Sequence, residues 1–173
     1  MHLAEVRIEN FRLFGAVDSA LVLPFKAGLN VLVGENDSGK TAIVDAIRFA
    51  LGTTSQDFQR VTDEDFHLES GDRASEFTVR CRFTDIDHGT GGALLEHLSY
   101  EDGAPCLYVT FRATRNDDVS VRRRITYEVR SGRDGTGPVL DGNIRLLLQA
   151  TYLRPLRDAE RELDAGRNSR LSQ

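Results

Sequence analysis

Tryptophan is missing from this 173-residue sequence and lysine nearly so, because of 22 basic residues only Lys26 and Lys40 are lysines. That bias is the kind a GC-rich genome imposes on its proteins. No apolar run approaches the ~20 residues that span a bilayer, so no membrane segment is expected. The opening residues, Met1-His2-Leu3-Ala4-Glu5-Val6-Arg7, set an acid where a signal peptide requires an apolar stretch. Export is therefore not expected, and a cytoplasmic, reducing location is. Cys81 and Cys106 are neither closely spaced nor clustered with histidines, which argues against a zinc site or a redox pair and for two core thiols. A net charge of -5 argues against a protein that coats DNA by bulk electrostatics, although it leaves room for a local basic patch.

What is present begins with periodicity. Ala4, Val6 and Ile8 alternate with Glu5, Arg7 and Glu9, the pattern of a half-buried strand. A second strand is expected over 17–23, stopped by Pro24, and a third over Leu29-Asn30-Val31-Leu32-Val33. From Gly39 the period becomes helical: Ile43, Ala46, Ile47, Ala50 and Leu51 recur at three- and four-residue steps, and Gly52 stands where a C-terminal cap belongs. Residues 53–75 read as a polar surface loop or short helix. Alternation returns over 76–84, 106–114 and 119–130, predicting an antiparallel sheet, with a hairpin loop at Asn116-Asp117-Asp118 and a helix near 92–98. Gly132 to Gly137 reads as a glycine-rich loop, 142–149 as a short helix, 150–153 as a strand and 155–173 as the start of a helical arm. The chain is expected to be one domain, 1–173, cut from a longer protein.

The strand over 29–33 runs straight into Gly34-Glu35-Asn36-Asp37-Ser38-Gly39-Lys40-Thr41. This is the G-x-x-x-x-G-K-[ST] loop. Its N–H groups converge on an anion, the following helix offers its positive end, the lysine reaches the β and γ phosphates, and the hydroxyl binds Mg²⁺. Lys40 and Thr41 fill those roles, which makes ATP and Mg²⁺ the expected cofactors and Thr41 the expected metal ligand. At average residue usage, chance produces the four fixed positions in roughly 1 chain in 200 of this length. Turnover also needs an acid at the end of a second apolar strand. No apolar run here ends in Asp-Asp or Asp-Glu, and Ser131-Gly132-Arg133-Asp134 departs from a Leu-Ser-Gly-Gly signature. The residues that hydrolyse ATP are expected elsewhere.

Residues 6–14 and 29–41 together resemble the head of the ABC-type recombination ATPases, including RecF and the SMC proteins, whose loop reads Gly-x-Asn-Gly/Asp-Ser-Gly-Lys-Ser/Thr. Asn36 and Ser38 fit that narrower pattern. Residues 152–160 and 166–171 resemble more narrowly the OLD family of ATP-dependent endonucleases, which join this head to a C-terminal Toprim nuclease. The resemblance implies an α/β P-loop fold, the N-terminal lobe of an ABC head with an antiparallel sheet beside the P-loop strand and helix. It implies that heads pair as homodimers around ATP and act on DNA. Gln149, with Asp158 as its rival, is then the glutamine-loop candidate, and Arg12 is a candidate contact to the nucleotide or to the partner head. A solvated arginine on a turn is the other reading of Arg12.

Two alternatives stand beside an OLD-like ATPase and nuclease: a RecF- or SMC-like module that clamps DNA without cutting it, and a nucleotide sensor without turnover. Outward-facing Arg80, Arg82, Arg112, Arg122, Arg124 and Arg130 form either a solvated sheet face or a basic surface for nucleic acid or a partner. Asp63, Glu64 and Asp65 beside His67 are expected to be a solvated acidic loop rather than a metal cluster, and His88 and His97 have no assigned role.

Overall fold

A computed structural model describes residues 1–54, 60–87, 89, 92, 94–116 and 124–153. The alternating segments form one six-stranded antiparallel sheet. Its members are β1 (His2–Glu9), β2 (Leu21–Pro24), β5 (Glu76–Thr84), β6 (Leu98–Glu101), β7 (Ala104–Arg115) and β8 (Ile125–Ser131). The order is β2-β1-β5-β7, and β6 and β8 divide the outer edge of β7 between them. β6 takes 104–107 and β8 takes 109–115. A separate two-stranded hairpin joins β3 (Leu68–Glu69) to β4 (Asp72–Arg73).

The longest helix among the described residues, α1 (Lys40–Leu51), covers one face of this sheet. Its apolar stripe meets a cluster of phenylalanines: Phe49 stacks on Phe111 with ring centroids 5.5 Å apart, while Phe77 lies 5.0 Å from both Phe11 and Phe66. Phe77, Val79 and Cys81 on β5 and Leu107, Val109 and Ala113 on β7 point inward and are buried, as their period of two requires. Burial pushes the Cys81 thiol up to about 12. Gly52 ends the helix at φ 72°, in the left-handed region, and donates its N–H to the Arg48 carbonyl at 2.9 Å.

Several expectations change. Val17–Ser19 is a 3₁₀ turn, so the second strand starts only at Leu21. Of the helix expected near 92–98, Gly92 is helical, whereas Leu95–His97 is a 3₁₀ turn that leads into β6. His97 is buried there, with Nδ1 3.0 Å from the Ser131 hydroxyl. Asn116 pairs with Arg124 through its N–H, and 117–123 lie outside the described residues. The short helix expected near 142–149 is present as α2 (Gly142–Leu148), capped by Asp141, whose side chain accepts from the N–H groups of Asn143 and Ile144. Ala150 forms a parallel bridge to Thr53 instead of a strand. The arm over 155–173 lies outside the described residues. Among the described residues no helix is long and apolar enough to cross a membrane.

The segment over 29–33 differs most. It forms no strand, and none of its backbone groups pairs with another backbone group among the described residues. Leu32 turns to the core, whereas Leu29, Val31 and Val33 are 90%, 70% and 90% exposed.

Candidate functional site

Between this bare segment and α1 lies the loop 34–41. The Ser38 N–H turns back to the Glu35 carbonyl, and Asp37 adopts φ 63°, a left-handed conformation that Asp tolerates better than most residues. Gly39 follows at φ 90° and caps α1, its carbonyl accepting from Ile43 N–H at 2.9 Å. A Cβ on Gly39 would lie 3.0–3.1 Å from Phe14 and Leu13, and one on Gly34 would lie 2.6 Å from the Ser38 hydroxyl. A side chain at Gly34 would displace the Ser38 hydroxyl and one at Gly39 would crowd Leu13 and Phe14, and Gly39 is required for its backbone angle.

Lys40 folds over the loop. Its Nζ donates to the Gly34 carbonyl at 2.8 Å, to the Glu35 carbonyl and to the Ser38 hydroxyl at 3.2 Å. A cavity of about 480 Å³ opens in front, lined by Leu13, Asn36, Asp37, Gly39, Lys40, Thr41 and Ala42. Leu13 also lines a neighbouring cavity of about 650 Å³, whose walls include Arg12, Arg60, Glu64 and Asp65. The loop residues 34–41 are thus brought together at the positive end of a twelve-residue helix, with N–H groups, an ammonium and the Thr41 hydroxyl around one concave space. This donor set, and a cradle that a side chain at Gly34 or Gly39 would fill, suit a polyphosphate with its magnesium ion.

Arg12 adjoins this site. At φ 49°, its N–H donates to the Asp65 carbonyl, and its own carbonyl faces His67 Nδ1 at 2.6 Å. The guanidinium spans two carboxylates, with Nη1 2.8 Å from Asp45 on α1 and Nε 3.0 Å from Asp65. Burial alone would lower the Arg12 pKa, but the hydrogen bonds to Asp45 and Asp65 outweigh it and raise the value above the ordinary one. Arg12 is therefore not a free solvated arginine. Gln149 stands by Gly52, at the end of α1 away from Lys40, with Cγ 3.9 Å from where a Gly52 Cβ would be. Twelve helical residues separate the two ends by about 18 Å, so the structure does not bring Gln149 to the loop.

The acidic segment is corrected. Asp65 is 3% exposed and caps its own 3₁₀ turn, accepting from the Thr62 N–H at 2.9 Å while holding Arg12. Sequence reasoning missed both Asp45 and Asp65. Asp45 offered no signal, while the Thr62-x-x-Asp65 spacing, a capping box, was a signal for Asp65. Three arginines of the basic face are paired. Arg82 pairs with Glu101 at 2.6 Å, Arg112 with Glu76 at 3.2 Å and Arg130 with Glu128 at 2.8 Å, so these charges are largely neutralised where they stand. Arg122 lies outside the described residues.

The AAA domain family matches residues 5–146. The chromosome partition protein Smc of Pyrococcus furiosus is 27% identical over 161 residues, covering 88% of this chain and 13% of that protein. The DNA replication and repair protein RecF of Prosthecochloris aestuarii is 36% identical over 98 residues, covering 53% of this chain and 25% of RecF. This chain therefore spans a minor share of either relative. Among solved structures, an Smc head bound to the C-winged helix domain of ScpA superimposes with a TM-score of 0.52 at 23% identity, over 86% of this chain and 39% of that one, which is a likeness of fold. With its nucleotide loop, capping glycine helix and antiparallel sheet, the chain belongs to the AAA domain family and is distantly homologous to the Smc and RecF ATPase heads.

Proposed function

We propose that the chain is the nucleotide-binding lobe of an Smc- or RecF-like head, binding ATP with Mg²⁺ at residues 34–41 and coupling it to head pairing on DNA. The carrying observation is the loop itself: Gly34 and Gly39 leave the cradle open, and Lys40 donates to loop carbonyls in a position to donate to phosphate instead. Thr41 is the proposed magnesium ligand. Leu13 joins the loop cavity to its neighbour, which supports a base seated beyond Leu13 toward Arg12 and Arg60.

The bare segment 29–33 supports the need for a further part of the head. A stretch with exposed Leu29, Val31 and Val33 and with no backbone partner among the described residues is suited to accept a strand from the rest of the head. On this reading the lobe alone has negligible ATPase activity. The OLD-like reading rests on 152–160 and 166–171, which lie almost wholly outside the described residues. The relatives found support the RecF and Smc reading more directly. Toprim carboxylates in the parent protein would select the nuclease, and a long heptad arm without them the clamp.

Calorimetric titration with ATP and Mg²⁺, parent beside Lys40→Ala, tests the site. Binding lost in the variant supports it; equal binding by both would place the nucleotide elsewhere. Turnover by the lobe alone that disappears with Lys40→Ala would refute the divided active site.

A further inference from the structure

The sheet face turned away from α1 holds a third, smaller cavity of about 160 Å³, lined by Arg7, Glu9, Glu76, Thr78, Arg80, Thr110, Arg112 and Asp134. The register explains it. Arg7, Arg80 and Thr110 lie side by side across β1, β5 and β7, and Glu9, Thr78 and Arg112 form the next row. The two threonines are short where their neighbours are long, which leaves a pit between arginine stems. The loop 132–137 roofs it, since a Cβ on Gly135 would sit 2.8 Å from Thr110 Cγ2, and Arg80 Nη1 donates to the Arg133 carbonyl at 2.9 Å.

Three guanidinium groups and three carboxylates line the pit, but they are not equally matched. Arg7 pairs with Glu9 at 2.6 Å and Arg112 with Glu76 at 3.2 Å. Arg80 and Asp134 remain, and neither forms an ion pair among the described residues. Arg80 Nε is buried without an acceptor. Beside it Thr110, 3% exposed, has a buried hydroxyl with no hydrogen-bond partner. A cavity of this size has room for about five waters. Water would satisfy the hydroxyl, but Arg80, which donates to the Arg133 carbonyl and lies 6.0 Å from the Tyr108 ring, would still lack an anionic partner. A tetrahedral oxyanion satisfies both, and one that keeps a proton also has a donor for Asp134. Sulfate and a phosphodiester have no such proton and would meet that carboxylate unfavourably.

We propose that this pit binds one protonated oxyanion, inorganic phosphate or the terminal group of a phosphomonoester, through Arg80 and Thr110. It lies on the opposite side of the sheet from the nucleotide helix and is independent of the loop at 34–41. A phosphate in the pit would fix the roof loop against β5 and β7.

The test uses the chain with Lys40→Ala, so that the nucleotide loop does not hold phosphate, and titrates inorganic phosphate by calorimetry. Saturable binding is expected, weakened about tenfold or more by Arg80→Gln and also by the near-isosteric Thr110→Val, and not displaced by equimolar sulfate. A 5′-phosphorylated oligonucleotide that displaces phosphate while its 5′-hydroxyl twin does not would identify a strand end as the source. Failure of both to displace it would identify free phosphate. No binding in the Lys40→Ala chain, equal competition by sulfate, or unchanged affinity in both folded variants would overturn the site. Loss of ATP binding by the parent protein would bear only on the nucleotide loop.

Discussion

Arg12 Nη1 stands 2.8 Å from Asp45 Oδ2, joining the end of β1 to the helix that carries the nucleotide loop. The same guanidinium holds Asp65, so one side chain fastens strand, helix and acidic turn together. Arg12→Ala would leave Asp65 buried and short of its counter-charge. A fully buried broken pair costs ~3–5 kcal/mol. Arg12 keeps about a third of its side chain in solvent, so we expect about 2 kcal/mol, read from urea denaturation. A cost under ~0.5 kcal/mol would mean that the brace contributes nothing.

Asp37 occupies a left-handed backbone position within the loop. Asp37→Gly should be neutral or stabilise by up to ~1 kcal/mol, because glycine adopts that angle without a Cβ clash. Asp37→Val should cost more than ~1 kcal/mol and weaken nucleotide binding, since a β-branched residue is poorly suited to positive φ. Thermal melts and calorimetry read the two effects separately. A valine variant as stable as the parent would remove the strain argument.

Val31 and Val33 face solvent, so replacing both with Ser should change stability by no more than ~0.5 kcal/mol. It should reduce self-association at high concentration, measured by sedimentation, because the bare apolar edge is what a second chain would meet. Destabilisation by ~2 kcal/mol would mean that the segment is packed in the free lobe.

Glu101 accepts from Tyr108 and from Arg82, and these hydrogen bonds hold its carboxyl below the usual value. Its contribution to stability is therefore complete above the unfolded pKa of 4.5 and is lost as the pH falls through the lower folded value. The stability difference between the parent and Glu101→Gln should be present at neutral pH and shrink on acidification. A difference independent of pH would show that the charge of Glu101 is not what matters.

Much of this architecture was legible because one residue's environment depends on near neighbours. Ile43, Ala46, Ala50 and Leu51 marked α1 by spacing alone, and Phe77, Val79 and Cys81 marked β5, because each pattern reports which face is wet. β6 escaped because Ser99, Tyr100 and Glu101 do not alternate cleanly. Its signal lay in Asp102-Gly103, a two-residue hairpin turn with φ 49° and 79° that pairs Glu101 with Ala104. Leu29 to Val33 carries the composition of a buried strand, but pairing belongs to two segments and no described segment supplies the second. The role of Asp65 was hidden because its partner Arg12 is 53 residues away, and an acidic run looks the same in sequence whether it is solvated or capped and paired.

The divided edge of β7 limits how this lobe can vary. β6 starts opposite Leu107 and β8 ends opposite Val109, so only Tyr108 separates the two tenants. Neither strand can extend along β7 without evicting the other. Insertions can lengthen the loops beyond each strand, but the width of the sheet at that edge is already shared out to the last residue.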